Sequence, residues 1–232
     1  MKKRFIALAL IVVLALSLAS CDLRSLLLPG VPQNTGEVSE KIIAMYGRST
    51  PTRSETVVTY TFAGKTLRDT TTLMKGKIDG KLEAAILDQV TQKLRTVADG
   101  SNASILGEIE ETKTYKEYLE GQGVRTNGGA WDSSESNFAP SEGSITLKIN
   151  DAVIVNVKEN GNTITFVIAK ENTKSVFGKE IGANVSVALK HDGASIVEIK
   201  LDYIEPAVSD LPEMEVSIVV NYYYGLQNIT IG

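Results

Sequence analysis

The sequence predicts a mainly β protein with few helices (α+β): a long antiparallel sheet that has to curl or be covered, entered through an amphipathic helix. Three observations carry this. Residues 21–232 hold 20 Thr, 19 Val and 18 Ile, more than a quarter of that stretch, and β-branched side chains pack well on a pleated surface. Apolar and polar residues alternate with a period of two over several runs, as half-buried strands require. Between those runs stand Ala63-Gly64-Lys65, Asp79-Gly80, Asn160-Gly161-Asn162 and His191-Asp192-Gly193, the residue types that tight hairpin turns need.

The chain opens with Lys2, Lys3 and Arg4, followed by an unbroken apolar run from Phe5 to Leu16. A membrane-spanning helix needs roughly 20 apolar residues, so this run is short for a span and suits a secretory leader. Leu18-Ala19-Ser20-Cys21 follows at once. It resembles the bacterial lipobox, in which a branched aliphatic and two small residues precede the cysteine that receives the lipid. The resemblance implies a signal peptide over 1–20, acylation of Cys21, and a lipid anchor on the extracytoplasmic side of the cell membrane, inner or outer. Losing the leader removes three basic residues from a chain of formal charge −4 and leaves −7. An acidic body is repelled by anionic headgroups, so attachment falls to the acyl anchor.

Residues 21–35 contain Pro29, Gly30, Pro32 and Asn34 without any period and read as a lipidated tether; Leu26-Leu27-Leu28 is alternatively a segment dipping into the membrane interface. Residues 36–232 fit a single β-rich domain. Glu37 to Tyr46 places Val38, Ile42, Ile43 and Met45 on one helical side, with Gly47 as the expected stop. Val58, Tyr60 and Phe62 share a strand phase. Leu82 to Val97 satisfies both a four-residue and a two-residue period, because four is a multiple of two; the Asp79-Gly80 turn favours strand. Further strands are expected around Ile145–Ile149, Ile164–Ile168, Val185–Leu189, Val197–Tyr203 and Met214–Tyr222, with a short helix from Glu171 to Phe177 ending at Gly178.

The chemistry is sparse. One cysteine and one histidine exclude internal disulfides, cysteine-based zinc or iron–sulfur sites and multi-histidine metal sites. The acidic balance argues against nucleic acid, which needs clustered Lys and Arg. His191 falls in a turn and is expected to be solvated, with no nucleophile beside it. Glu108, Glu110, Glu111, Glu117 and Glu120 lack calcium-loop spacing and read as a solvent face. No glycine-flanked nucleophile or phosphate loop occurs. No catalytic residue, metal or cofactor is therefore expected, and the chain reads as not an enzyme.

The order of elements adds a resemblance. A short amphipathic helix is followed by long hairpin strands. Then come Tyr118-Leu119-Glu120-Gly121, the turn Asn127-Gly128-Gly129, Trp131, further hairpins, and a final Gln227-Asn228-Ile229-Thr230-Ile231. This is similar to the lipoprotein-carrier superfamily that includes LolA, RseB and the mycobacterial lipoproteins LprG and LppX. The resemblance covers residues 36–232 and implies a curved antiparallel half-barrel, or incomplete barrel, whose concave face holds acyl chains or lipoproteins. In such a half-barrel Tyr60, Phe62, Phe166, Tyr203 and Tyr222, all in the apolar phase of their strands, would line the concavity; the alternative is a solid hydrophobic core. Trp131 is expected to be a partner contact or a lid across the barrel mouth. The expected function is binding of a lipid or other hydrophobic ligand. The alternative is a non-enzymatic interaction, scaffold or sensor lipoprotein of the cell envelope whose protein partner the sequence does not name.

Overall fold

The computed structural model describes residues 35–48, 50–94, 97–99, 102–104, 108–135, 138, 147, 154–207 and 212–232. The leader, Cys21 and the tether up to residue 34 lie outside the described residues, as does most of the strand expected at Ile145–Ile149.

The chain opens with helix α1 (Thr35–Arg48) and continues through β1 (Arg53–Phe62), β2 (Lys65–Ile78), β3 (Leu82–Leu94), β4 (Val97–Asp99), β5 (Asn102–Ser104), β6 (Ile109–Leu119) and β7 (Gly123–Thr126). The second half holds β8 (Ile154–Asn160), β9 (Thr163–Ile168), a 3-10 turn (Lys170–Asn172), helix α2 (Thr173–Phe177), β10 (Val185–His191), β11 (Ile196–Glu205) and β12 (Met214–Tyr223). Ten strands form one curved, unclosed sheet in the order β7-β6-β3-β2-β1-β12-β11-β10-β9-β8, antiparallel throughout. The first and last long strands, β1 and β12, pair at its centre and join two sequential meanders. Strands β4 and β5 form a separate hairpin.

Local chemistry sets the turns. Ala63 and Gly64 take φ of +46° and +73°, the two-residue turn whose twist matches its flanking strands. The 82–97 segment is strand over Leu82–Leu94. Helix α1 passes through Gly47, the expected stop, to Arg48. In β11 the inward residue at the strand start is Ile196 rather than Val197. Lys190 pairs with Glu198 but His191 with Ile196, so Val197 is the extra residue of a bulge and the phase shifts there.

The main core lies on one face of β9 to β12. Ile164, Phe166, Ile168, Val185, Val187, Leu189, Ile199, Leu201 and Val220 are at most 2% exposed. Helix α1 lies against β8 and β11 and lays Ile42 and Met45 into this face, with Val38 beside them. Helix α2 adds Val176, and the buried Thr173 hydroxyl donates to Lys170 O (2.8 Å) while accepting from Ile181 N–H (2.9 Å). Sheet edges are guarded. A register shift between Val155 and Lys158 kinks β8, and Glu110, Glu111 and Lys113 sit where β6 runs past β7; both devices discourage edge-to-edge pairing.

Candidate functional site

The five aromatic positions expected on the concave face share the helix-covered face of the sheet but have unequal environments. Phe166 is 2% exposed and pairs with Val187; Tyr203 and Tyr222 are also buried in the main core. Tyr60 is half-buried at its margin, across Val216 from Tyr203. Phe62, at the hairpin tip, is half-buried and outside the apolar clusters. The structure thus brings Phe166, Tyr203 and Tyr222 into packed core, sets Tyr60 at its rim, and leaves Phe62 apart.

Burial decides how these phenols titrate. It pushes Tyr203 up to about 12, with the Glu205 carboxylate and Tyr60 adding to the shift. Burial likewise raises Tyr222, and it raises Tyr60, whose neighbour Asp69 works in the same direction. A raised folded-state value means that the neutral phenol stabilises the fold below the ordinary tyrosine value of about 10, and that this contribution disappears as pH climbs through the folded value. Stability against urea should therefore fall between about pH 10 and pH 12, and ultraviolet titration should show these phenolates appearing later than free tyrosine. Phenolates appearing together near pH 10 without loss of structure would contradict the packing.

The covered face does not stop at the main core. Leu73, Ala85, Leu87 and Val124 form a second buried cluster with Phe138, and Tyr118 packs against it. Register places it on the same face: Tyr222 pairs with Ser54, Ser54 with Leu73, and Leu73 with Leu87. The two clusters come nearest across Ser54 of β1, which is itself buried; Val58 and Tyr60, further along β1 and opposite Asp69 and Leu67, pack on the main core and are only half-buried. The apolar face therefore runs continuously past the start of β1 and ends in a half-exposed margin along its second half.

The opposite face is mostly polar. Two adjacent depressions of about 480 and 490 Å³ share Ser186 and Asp202 and are lined largely by Thr, Ser, Asn and charged groups. Where β2 and β3 run past the start of β1, the segment after β12 crosses that face. Gly76 permits the crossing, since a Cβ there would stand 2.3 Å from Gln227 O. Ile229 then buries itself on Ala84 and Ile86. The crossing forms one wall of a cleft of about 580 Å³ that also holds Lys75, Lys77, Tyr118 and the fully exposed Leu226.

Trp131 is half-buried beside this crossing. The Arg125 guanidinium lies over its ring at 4.6 Å, pairs with Glu117, and donates to Gly232 O; Glu117 accepts the Gly232 N–H at 3.2 Å. Glu117 is only 3% exposed, which corrects the expectation that it belongs to a solvent face. Glu108, Glu110, Glu111 and Glu120 are exposed as expected. Hairpin counting could have found the pair: a turn between Leu119 and Gly123 sets Glu117 directly across from Arg125.

His191 also departs from expectation. It ends β10, is 6% exposed, and takes the Gly193 N–H on Nδ1 at 3.2 Å. It continues the inward phase of Val185, Val187 and Leu189 on β10, and the register shift at Val197 leaves it paired with Ile196. Among the described residues, no group of three or more His, Cys, Asp or Glu side chains is placed to hold a metal ion, and no helix is long and apolar enough to cross a membrane.

These features define a half-barrel-type protein: a curved, unclosed antiparallel sheet with one apolar, helix-covered face and one polar, open face. No protein-family model matches the chain, and no curated protein matches it. Among solved structures it is similar to a DUF1329 family protein from Desulfovibrio piger ATCC 29098, determined at 1.75 Å. The two are 12% identical, the alignment covers 84% of this chain and 96% of that one, and the TM-score is 0.24, a superposition too loose to carry any argument about function.

Proposed function

We propose that the protein is an extracytoplasmic lipoprotein, acylated on Cys21 and held by that anchor on the cell membrane, which binds a lipid or acyl chain on the covered face of its half-barrel. The observation behind this is the half-exposed apolar margin of the covered face. Helix α1 packs on the half formed by β8 to β12, while Val58 and Tyr60 lie half-exposed on β1 at the edge of the main core. An acyl chain laid along that margin would bury its remaining apolar surface, at roughly 25 cal/mol per Å² removed from water. The reading is non-enzymatic and calls for no cofactor.

A second reading is a scaffold or sensor module with a solid core. Phe166, Tyr203 and Tyr222 favour it, since all three are buried members of the main apolar cluster. Native mass spectrometry of the chain purified from its host discriminates the two. The carrier reading expects a non-covalent lipid adduct beyond the mass of the acylated polypeptide, and loss of fluorescent fatty-acid uptake in Tyr60→Asp. A clean mass together with no uptake by the unaltered chain would move the assignment to the scaffold. The anchor is checked separately: Cys21→Ala should abolish palmitate incorporation and release the protein from membranes.

A further inference from the structure

We propose that His191 is a proton-operated latch joining the sheet to helix α1. The geometry assigns the tautomer first. Nδ1 accepts the Gly193 N–H at 3.2 Å, so the neutral ring carries its single proton on Nε2. That Nε2 is buried, has no hydrogen-bond partner, and stands 4.0 Å from Oε1 of Glu159 on β8. The same Oε1 is taken by the Lys41 ammonium of helix α1.

A second proton therefore has one place to go. It must enter on Nδ1, where the lone pair already holds the Gly193 N–H, and two N–H groups then face each other. Proton uptake breaks one of the hydrogen bonds that hold the turn after β10 and places a full positive charge on the ring, with Nε2–H opposite Glu159.

Charged groups face the ring from several elements. Glu159 faces the ring from β8, with Lys41 beyond it on helix α1. Asp192 lies in the turn, and hydrogen bonds from the Ser195 and Ala194 N–H groups hold its carboxyl below the usual carboxylate range, so it is ionised in mild acid. Past β12, Tyr224 donates its hydroxyl to Ile196 O at 2.6 Å. The neighbouring Lys190 is paired with Glu198. Of these groups, Glu159 is shared with Lys41 and Glu198 with Lys190, and Asp192 is held by backbone N–H groups alone. Once charged, the imidazole draws Glu159 away from Lys41, so the turn and the helix attachment loosen together. The latch is independent of whatever the sheet binds.

The test is nuclear magnetic resonance on the full chain. At pH 8 the ring nitrogens should report the Nε2–H tautomer. Between pH 7.5 and pH 5 the exchange of the Gly193 amide, corrected for its intrinsic pH dependence, should accelerate about tenfold, the loss of one net hydrogen bond. In His191→Asn, Oδ1 takes the place of Nδ1 as a non-titrating acceptor, and exchange should stay slow at both pH values. An Nδ1–H tautomer at pH 8, or pH-independent exchange in the unaltered chain, overturns the proposal whether or not the variant folds. The same acceleration in a folded His191→Asn also overturns it.

Discussion

Replacing Arg125 with leucine should destabilise the fold by about 3–5 kcal/mol, the range for leaving a buried charge without its partner. The side chain of Glu117 is 3% exposed and that of Arg125 17%, so little water is available to take over the lost contact. Glu117 would retain only neutral donors, the Gly232 N–H at 3.2 Å and the Tyr115 hydroxyl. Arg125 also holds the Gly232 carbonyl and stacks on Trp131, so its removal frees the end of the segment that covers Ala84 and Ile86. For a domain of this size the melting temperature should drop by roughly 10 °C. Trp131 is the sole tryptophan, and its emission should shift to the red in the folded state before any unfolding. The double variant Arg125→Leu, Glu117→Leu should recover most of the loss, because removing both charges abolishes the burial cost. A single variant within 1 kcal/mol of the parent, with unchanged emission, would show that the cluster does not hold this edge.

The architecture was legible where the sheet has one dry face. Strands β9, β10 and β12 alternate in the phase read from sequence because helix α1 and the core cover one side only. Strand β3 was ambiguous for a physical reason. Ala84, Ala85, Ile86 and Leu87 are buried in succession, since Ala85 and Leu87 join the Phe138 cluster while Ala84 and Ile86 lie under Ile229 on the other face. A strand covered on both faces has no alternation to display. Phe62 and Phe166 share a strand phase but differ in depth, and depth depends on which half of the sheet the helix reaches. His191 escaped because it was read with the Asp192-Gly193 turn, although it continues the inward phase of Val185, Val187 and Leu189 on β10; Glu117 escaped because its burial depends on an arginine from the neighbouring strand.

The position least tolerant of a single added methyl group should be Gly123. Its φ is +95°, and a Cβ there would stand 2.0 Å from Asp132 O, 2.6 Å from Asp132 C and 2.7 Å from Ser133 Cα. All three are backbone atoms, so no side chain can swing aside. Alanine would have to push residues 132 and 133 away from β7. That breaks the paired bonds in which Val124 N–H donates to Asp132 O at 3.0 Å and Asp132 N–H donates to Val124 O at 2.7 Å. Strain of about 1–3 kcal/mol for the backbone conformation adds to roughly 1 kcal/mol for each lost bond, so Gly123→Ala should cost about 3 kcal/mol or more in urea unfolding. Gly121, two residues earlier, is the control. Its φ is +82°, but nothing lies within 4 Å of an added Cβ, so alanine there pays the conformational term alone, about 1 kcal/mol. The difference between the two variants isolates the contact with Asp132. Equal losses would mean that residues 132 and 133 yield freely, and that neither the edge of β7 nor the Arg125–Trp131 stack beside it is fixed by that contact.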